Sequence, residues 1–230
     1  MLALTFRPRA LGACTTFLLA PVPLTAQPDP APPPVAMFTL AGSYGRPVLG
    51  GGAERAFSGV GAAGPAVGLR FAGGVDGPRF GASFGVEAGG VSVGGRPGEA
   101  LAFVAAGHWR PAVRVGAWRP RLTAGYVRQE VGNVATALAE LPPDLQARVT
   151  VLDPNGRALG LRGNGARLGA AAERPIGSRV VLFADATADV VRFSTFEYDG
   201  TKYRLPGEGW STLPRLTLGL HWHWRRFERR

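Results

Sequence analysis

The chain has 230 residues but only one cysteine, Cys14, and one lysine, Lys202. A single thiol excludes an internal disulfide and a thiolate-rich metal site. Poverty in cysteine also suits passage through an oxidising compartment. With one lysine, the positive charge rests on arginine: Lys+Arg number 26 against 16 Asp+Glu, a formal net charge of +10. These arginines are spread singly rather than run together. That argues against a nucleic-acid partner and for arginines that line an interior or sit at a rim. Beyond the first 26 residues no apolar run approaches the ~20 residues a membrane helix needs. If such a chain crosses a bilayer it must do so as a closed barrel, because an open sheet edge cannot sit in lipid. Gly50-Gly51-Gly52 is followed by no Gly-Lys-Ser/Thr, so a phosphate loop is excluded there.

The N-terminal segment 1–26 reads as a secretory signal peptide. Arg7 and Arg9 form a basic start, residues 11–24 are largely apolar, and Leu24-Thr25-Ala26 offers a cleavage site. Leu11-Gly12-Ala13-Cys14 loosely matches a lipidation site but precedes most of the apolar run, where such a site should follow it. Residues 27–35 form a proline-rich, extended linker. Residues 225–230 are a basic C-terminal tail after the last strand.

The body, 36–224, is dominated by period-two alternation. From Leu216 to Trp224 every even position is large and apolar, and every odd one is polar or glycine. Alternate side chains of a strand face opposite sides of a sheet, so one face is greasy and the other wet. The same pattern predicts strands over 37–44, 65–71, 79–88, 101–110, 118–129, 166–174, 179–191 and from about 210. Most have about the ~9–11 residues of a tilted bilayer crossing, and the stretch 65–71 is shorter than that.

Connections 45–64, 130–165 and 192–209 are long and 89–100 is intermediate, whereas 72–78, 111–117 and 175–178 are short. Long and short alternate, as outer loops and periplasmic turns do in a membrane barrel. Within the longest loop, 136–141 predicts a helical turn and Asn155-Gly156 a hairpin. Aromatic residues gather at strand ends. Phe38, Phe71, Phe80, Trp109, Trp118, Trp222 and Trp224 fall beside the short turns or termini, and Tyr44, Tyr126, Phe193 and Trp210 at the opposite ends. Two girdles of this kind mark the two membrane interfaces. Loop 192–209 and the strand start after it carry Phe196, Tyr198, Tyr203 and Trp210, a candidate contact surface for a partner or for lipopolysaccharide sugars.

On the wet face, the inward set comprises Arg70, Arg79, Glu87, His108, Arg121, Arg167, Glu173, Asp185, Asp189, Arg215, His221 and His223. An eight-stranded barrel is just wide enough for side chains to fill it. Opposite charges there should pair and close the lumen, since buried charges need partners. His221 and His223 point the same way and could hold a metal with a nearby acid. A histidine–acid pair with Ser83 or Thr217 could mimic a hydrolase triad. Both sets lie on the wet face, away from any lipid substrate, so no cofactor, metal or enzymatic activity is assigned.

The alternation over 37–224, Arg-Pro-Arg-Leu-Thr-Ala-Gly-Tyr at the fifth strand and the aromatic-ended last strand together resemble the small outer-membrane β-barrel proteins of Gram-negative bacteria, the OmpA/OmpX-like group. The resemblance implies an all-β fold, an eight-stranded antiparallel up-and-down transmembrane β-barrel in the outer membrane. It implies outer-membrane lipid, lipopolysaccharide and the barrel-assembly machinery as partners. Members often end on an aromatic residue. Here Arg225-Arg226-Phe227-Glu228-Arg229-Arg230 follow Trp224, so either Trp224 or Phe227 could be the residue read during assembly. The expected role is structural, or binding through the long loops. The alternatives are a narrow porin-like channel with anion preference, a lipid-modifying enzyme, and a soluble barrel with an apolar cavity.

Overall fold

The computed structural model describes residues 33–150 and 158–224. Outside them lie the expected signal peptide, most of the linker, the Asn155-Gly156 turn and the basic tail.

Strands β1 (Val35–Gly45), β2 (Ala63–Asp76), β3 (Phe80–Val93), β4 (Arg96–Trp109), β5 (Arg119–Ala135), β6 (Ala158–Pro175) and β7 (Val180–Tyr198) pair in sequence order, all antiparallel. A short β8 (Thr201–Arg204) folds back on the end of β7. The last strand, β9 (Trp210–Trp224), pairs with both β7 and β1. The sheet thereby closes as an eight-stranded up-and-down barrel, with β8 a ninth strand outside the ring. Closure leaves the barrel without a free edge. Gly219 of β9 lies opposite Ala41 of β1, where a Cβ would stand 2.3 Å from the Ala41 Cβ. The closing seam therefore depends on the absent side chain.

Most strands overshoot the predicted bounds. β2 has 14 residues, because Gly73 and Gly74 continue the ladder instead of ending it. The intermediate connection expected over 89–100 is absent. β3 and β4 run on to a two-residue turn at Gly94-Gly95, with φ of 57° and 79°. Two consecutive positive φ angles make the mirror-image turn that matches strand twist, and glycine adopts them without strain. The long connections thus number three, β1–β2, β5–β6 and β7–β9. They share one end of the barrel, the loop end, with the Gly94-Gly95 turn. The remaining turns, the start of β1 and the end of β9 lie at the other, the turn end.

The interior changes character along the barrel axis. Toward the turn end it is polar, with Arg70, Glu87, Arg121, Arg167, Asp185 and Asp189 all buried. Toward the loop end the same inward positions become apolar: Val91, Val93, Val127, Val131, Val134, Leu159, Leu161 and Phe193. Helix α1 (Gly52–Ala56), within the β1–β2 connection, lays Ala53, Ala56 and the following Phe57 on this apolar layer. The β5–β6 connection adds Leu141 and Leu145, the latter from α2 (Pro143–Gln146). The helical turn expected over 136–141 is a 3-10 turn at Leu138–Glu140. Burying each large apolar side chain here stabilises the cap by about 1.5–3 kcal/mol.

Two aromatic assignments change. Phe193 shares the phase of Val191 and is fully buried, so it belongs to the cap and not to a girdle. An irregular register between Arg162 and Gly163, opposite β7, shifts the strand by one residue. Phe196 and Tyr198 consequently face inward and are buried, with Phe196 stacked on Tyr203 at 5.1 Å between centroids. Of the expected contact surface only Trp210 stands well out, at 63 % exposure.

Candidate functional site

The charged lumen is built by parity. Inward positions fall at every second residue of a strand, and the closed ring aims all of them at one axis. Five arginines (Arg70, Arg110, Arg121, Arg167, Arg215) meet five carboxylates (Asp76, Glu87, Glu173, Asp185, Asp189).

Nearer the loop end, Glu87 accepts from Arg167 and from Arg215, and Arg70 Nε lies 3.5 Å away. Asp189 accepts from Arg167 Nε at 2.6 Å and lies 3.3 Å from Arg215. Arg215 also donates to Gln129 Oε1 at 2.7 Å. Nearer the turn end, Asp185 stands between Arg70 at 3.6 Å and Arg121 at 3.4 Å. Glu173 pairs with Arg121 at 2.9 Å and Arg110 at 2.6 Å, and Arg110 clasps Asp76 at 2.5 Å. Arg110, Arg121, Arg167 and Arg215 each present the guanidinium fork to two or more acceptors, which suits arginine and not lysine.

Three histidines lie among these pairs. Arg121 can only donate, so its 2.8 Å contact makes His221 Nε2 an acceptor and leaves the ring proton on Nδ1, 2.7 Å from Thr39 Oγ1. The His221 ring stacks on Phe183 at 4.1 Å. His108 bridges Ser83 Oγ at 2.8 Å and Thr123 Oγ1 at 3.2 Å. His223 faces Asp76 at 3.0 Å. The Ser83–His108 pair ends on a threonine hydroxyl where a hydrolytic triad needs an acid. Among the described residues no three His, Cys, Asp or Glu side chains converge as metal ligands.

Of the twelve residues expected inward, Arg70, Glu87, Arg121, Arg167, Glu173, Asp185, Asp189, Arg215 and His221 are joined by these contacts, His223 approaches Asp76, and His108 is buried beside them on Ser83 and Thr123. Arg79 is not among them. β3 starts one residue later, and Arg79 is exposed in the β2–β3 turn. Asp76 and Arg110 were missed: Asp76 falls in the connection expected over 72–78, and Arg110 ends the strand expected over 101–110, next to Pro111, without being counted on its inward face. The parity of His108, carried one step on, would have found Arg110. That of Arg70, carried past Ala72 and Gly74, would have found Asp76.

The outer wall is apolar. Leu40, Leu69, Phe71, Phe84, Leu122, Leu168, Leu216 and Leu218 are all exposed. Phe38, Tyr44, Trp109, Trp118, Tyr126, Trp210, Trp222 and Trp224 share this outward face, with Trp118 half-buried and the others exposed. Tyr126 donates to Asn164 Oδ1 at 2.5 Å. Charge inside and hydrocarbon outside invert the arrangement of a water-soluble barrel.

Neither a family model nor a curated protein sequence matches this chain. Solved structures do. Neisserial surface protein A (NspA) superposes with a TM-score of 0.54 at 9% identity, covering 82% of this chain and 99% of its own. The chain has the fold of a small outer-membrane β-barrel. A major outer membrane protein from Thermus thermophilus matches at 14% identity and TM-score 0.43, over 82% of this chain and 99% of its own. The N-terminal β-barrel domain of Pseudomonas aeruginosa OprF matches at 11% and 0.35, over 79% and 96%.

At the loop end the cap is laced by ion pairs. Arg96 holds Glu140 through both guanidinium nitrogens, at 2.9 and 2.6 Å. The Arg96 hydrogen bond, then the Ala137 N–H at 2.7 Å, hold the Glu140 carboxyl down at about 2. Arg55 reaches Asp144 at 2.7 Å, tying α1 to the β5–β6 connection.

Proposed function

We propose that the protein is a transmembrane barrel of the outer membrane with an occluded lumen, serving a structural or surface-binding role and not as a pore or an enzyme. The loop end faces outward and the turn end faces the periplasm. The observation that carries this reading is the balanced lumen, in which five guanidiniums and five carboxylates are paired with one another across the axis. Around Glu87, Gln129 and Arg215 a cavity of only about 30 Å³ remains, space for a water or two. The apolar cap with α1 and Phe57 stands over the same axis.

An anion-preferring channel would need a surplus of lumen arginine, and the lumen has none. A lipid-modifying activity would need catalytic groups open to lipid, whereas His108 and His221 are buried and engaged inside. Surface binding falls to the outer face of the cap and to Trp210, since Phe196 and Tyr198 lie in its core. The test is single-channel recording in planar bilayers, with insertion verified by the gel shift between boiled and unboiled samples. No conductance steps above the bare bilayer are expected. Stable, ion-selective steps would overturn the reading.

A further inference from the structure

The net charge of this protein is not distributed evenly around it. Among the described residues nineteen are Lys or Arg and thirteen are Asp or Glu. The lumen takes five of each and is neutral. The loop end takes nine cations and eight anions, many of them paired, as in Arg55–Asp144, Arg96–Glu140, Arg162–Glu197 and Arg192–Glu208. The turn end takes the other five cations, Arg79, Arg114, Arg119, Arg174 and Arg179, and no acid at all. Its two nearby carboxylates, Asp76 and Glu173, are already bound inside by Arg110 and Arg121. None of the five has a carboxylate partner among the described residues, and all but the half-buried Arg119 are exposed.

These arginines alternate with apolar side chains. Val113 and Val115 flank Arg114 and are 60 % and 71 % exposed, and Ile176 stands out beside Arg174-Pro175. Arg174 lies over the Trp118 ring, 6.0 Å from its centroid. The cations thus continue directly from the aromatic girdle. A purely aqueous acidic partner would gain nothing from the valines, the isoleucine or the ring. A bilayer interface accommodates both: apolar tips among the upper acyl chains, guanidiniums at the phosphates.

We propose that the turn end is a collar that gathers anionic phospholipid headgroups of the periplasmic leaflet around the barrel. The collar rests on the membrane-barrel reading above. Each guanidinium offers a fork of donors to phosphate oxygens.

The experiment uses the full chain, with Trp210→Phe to leave only turn-end tryptophans, inserted into phosphatidylcholine vesicles holding a minor fraction of phosphatidylglycerol. Tryptophan quenching is compared with bromine carried on one lipid or the other. The brominated phosphatidylglycerol should quench as though enriched about fivefold or more at the barrel, the preference of a single basic residue for an anionic surface. In the variant R79Q/R114Q/R119Q/R174Q/R179Q the enrichment should vanish while the heat-dependent gel shift persists. Should that variant fail to fold, the salt dependence of the unsubstituted collar decides: enrichment must collapse between about 0.1 and 1 M salt, as screening shortens from about 10 Å to about 3 Å. No enrichment, enrichment equal in the variant, or enrichment indifferent to salt overturns the collar, as does capture of soluble polyglutamate without lipid preference. Absence of quenching by either lipid overturns the membrane reading itself, and the collar with it.

Discussion

Replacing Glu87 with alanine should be among the most damaging single changes outside the strand backbones. Glu87 accepts from Arg167 and Arg215 and faces Arg70, so three guanidiniums from β6, β9 and β2 converge on it. Its side chain is only 5 % exposed, which denies those guanidiniums water as a substitute. E87A leaves five lumen cations against four anions. Removing one partner of a buried ion pair costs about 3–5 kcal/mol, roughly a 100- to 4,000-fold loss in the folding equilibrium constant. The assay is reversible urea unfolding in lipid vesicles, followed by tryptophan emission. E87Q should lose most of the same stability despite its near-identical shape. The double variant E87A/R215A should be less unstable than the two single losses added together, because it restores four charges to four. Stability of E87A within about 0.5 kcal/mol of the parent, or strict additivity in the double variant, would refute the view that the lumen is held by mutual neutralisation.

Phe57→Ala should loosen the cap by about 3–5 kcal/mol, exposing the β1–β2 connection to protease while the barrel keeps its gel shift. Gly219→Val should block closure of β9 on β1, costing at least about 1–3 kcal/mol and reducing the folded band recovered on refolding. Because the Glu140 carboxyl titrates near 2 in the folded cap and near 4.5 when free, its tie to Arg96 is fully present above about pH 4.5 and is lost as pH falls toward 2. Hydrogen exchange at 137–141 should therefore accelerate over that acid range relative to the barrel strands, and E140Q should show the faster exchange already at neutral pH.

The polar half of the barrel was legible in the sequence because two solvents flank its strands. Lipid on one side and a charged axis on the other impose a strict alternation, and Arg167, Asp185, Asp189 and Arg215 follow from it directly. The cap was not legible, for the converse reason. Beyond the apolar belt the interior itself turns apolar, so Val127, Val131 and Leu161 sit in phase with Arg121 and Arg167 and blur the contrast between faces. A register shift then moves Phe196 and Tyr198 to the inner side, an event that periodicity alone does not announce. Asp76 was hidden by Gly73, Gly74, Gly77 and Pro78, whose composition suggests a turn where the inward phase still runs, and Arg110 by its place as the last residue of its expected strand.

The pairing pattern of the lumen constrains how the chain can enter a bilayer. Of its ten ion pairs, six join elements that are not neighbours in the ring. The closest partners of Glu87 on β3 come from β6 and β9, and Asp185 on β7 draws its cations from β2 and β5. A lone hairpin of β2 and β3 would hold only the 3.5 Å approach of Arg70 to Glu87 and would carry Asp76 with no cation at all. Much of its ionic cost would enter hydrocarbon uncompensated, and the same holds for any half-ring. The favourable moment arrives only when distant strands curl to within reach across the axis. Insertion one hairpin at a time is thereby penalised, and concerted entry of an almost complete cylinder is the route this arrangement of charges favours.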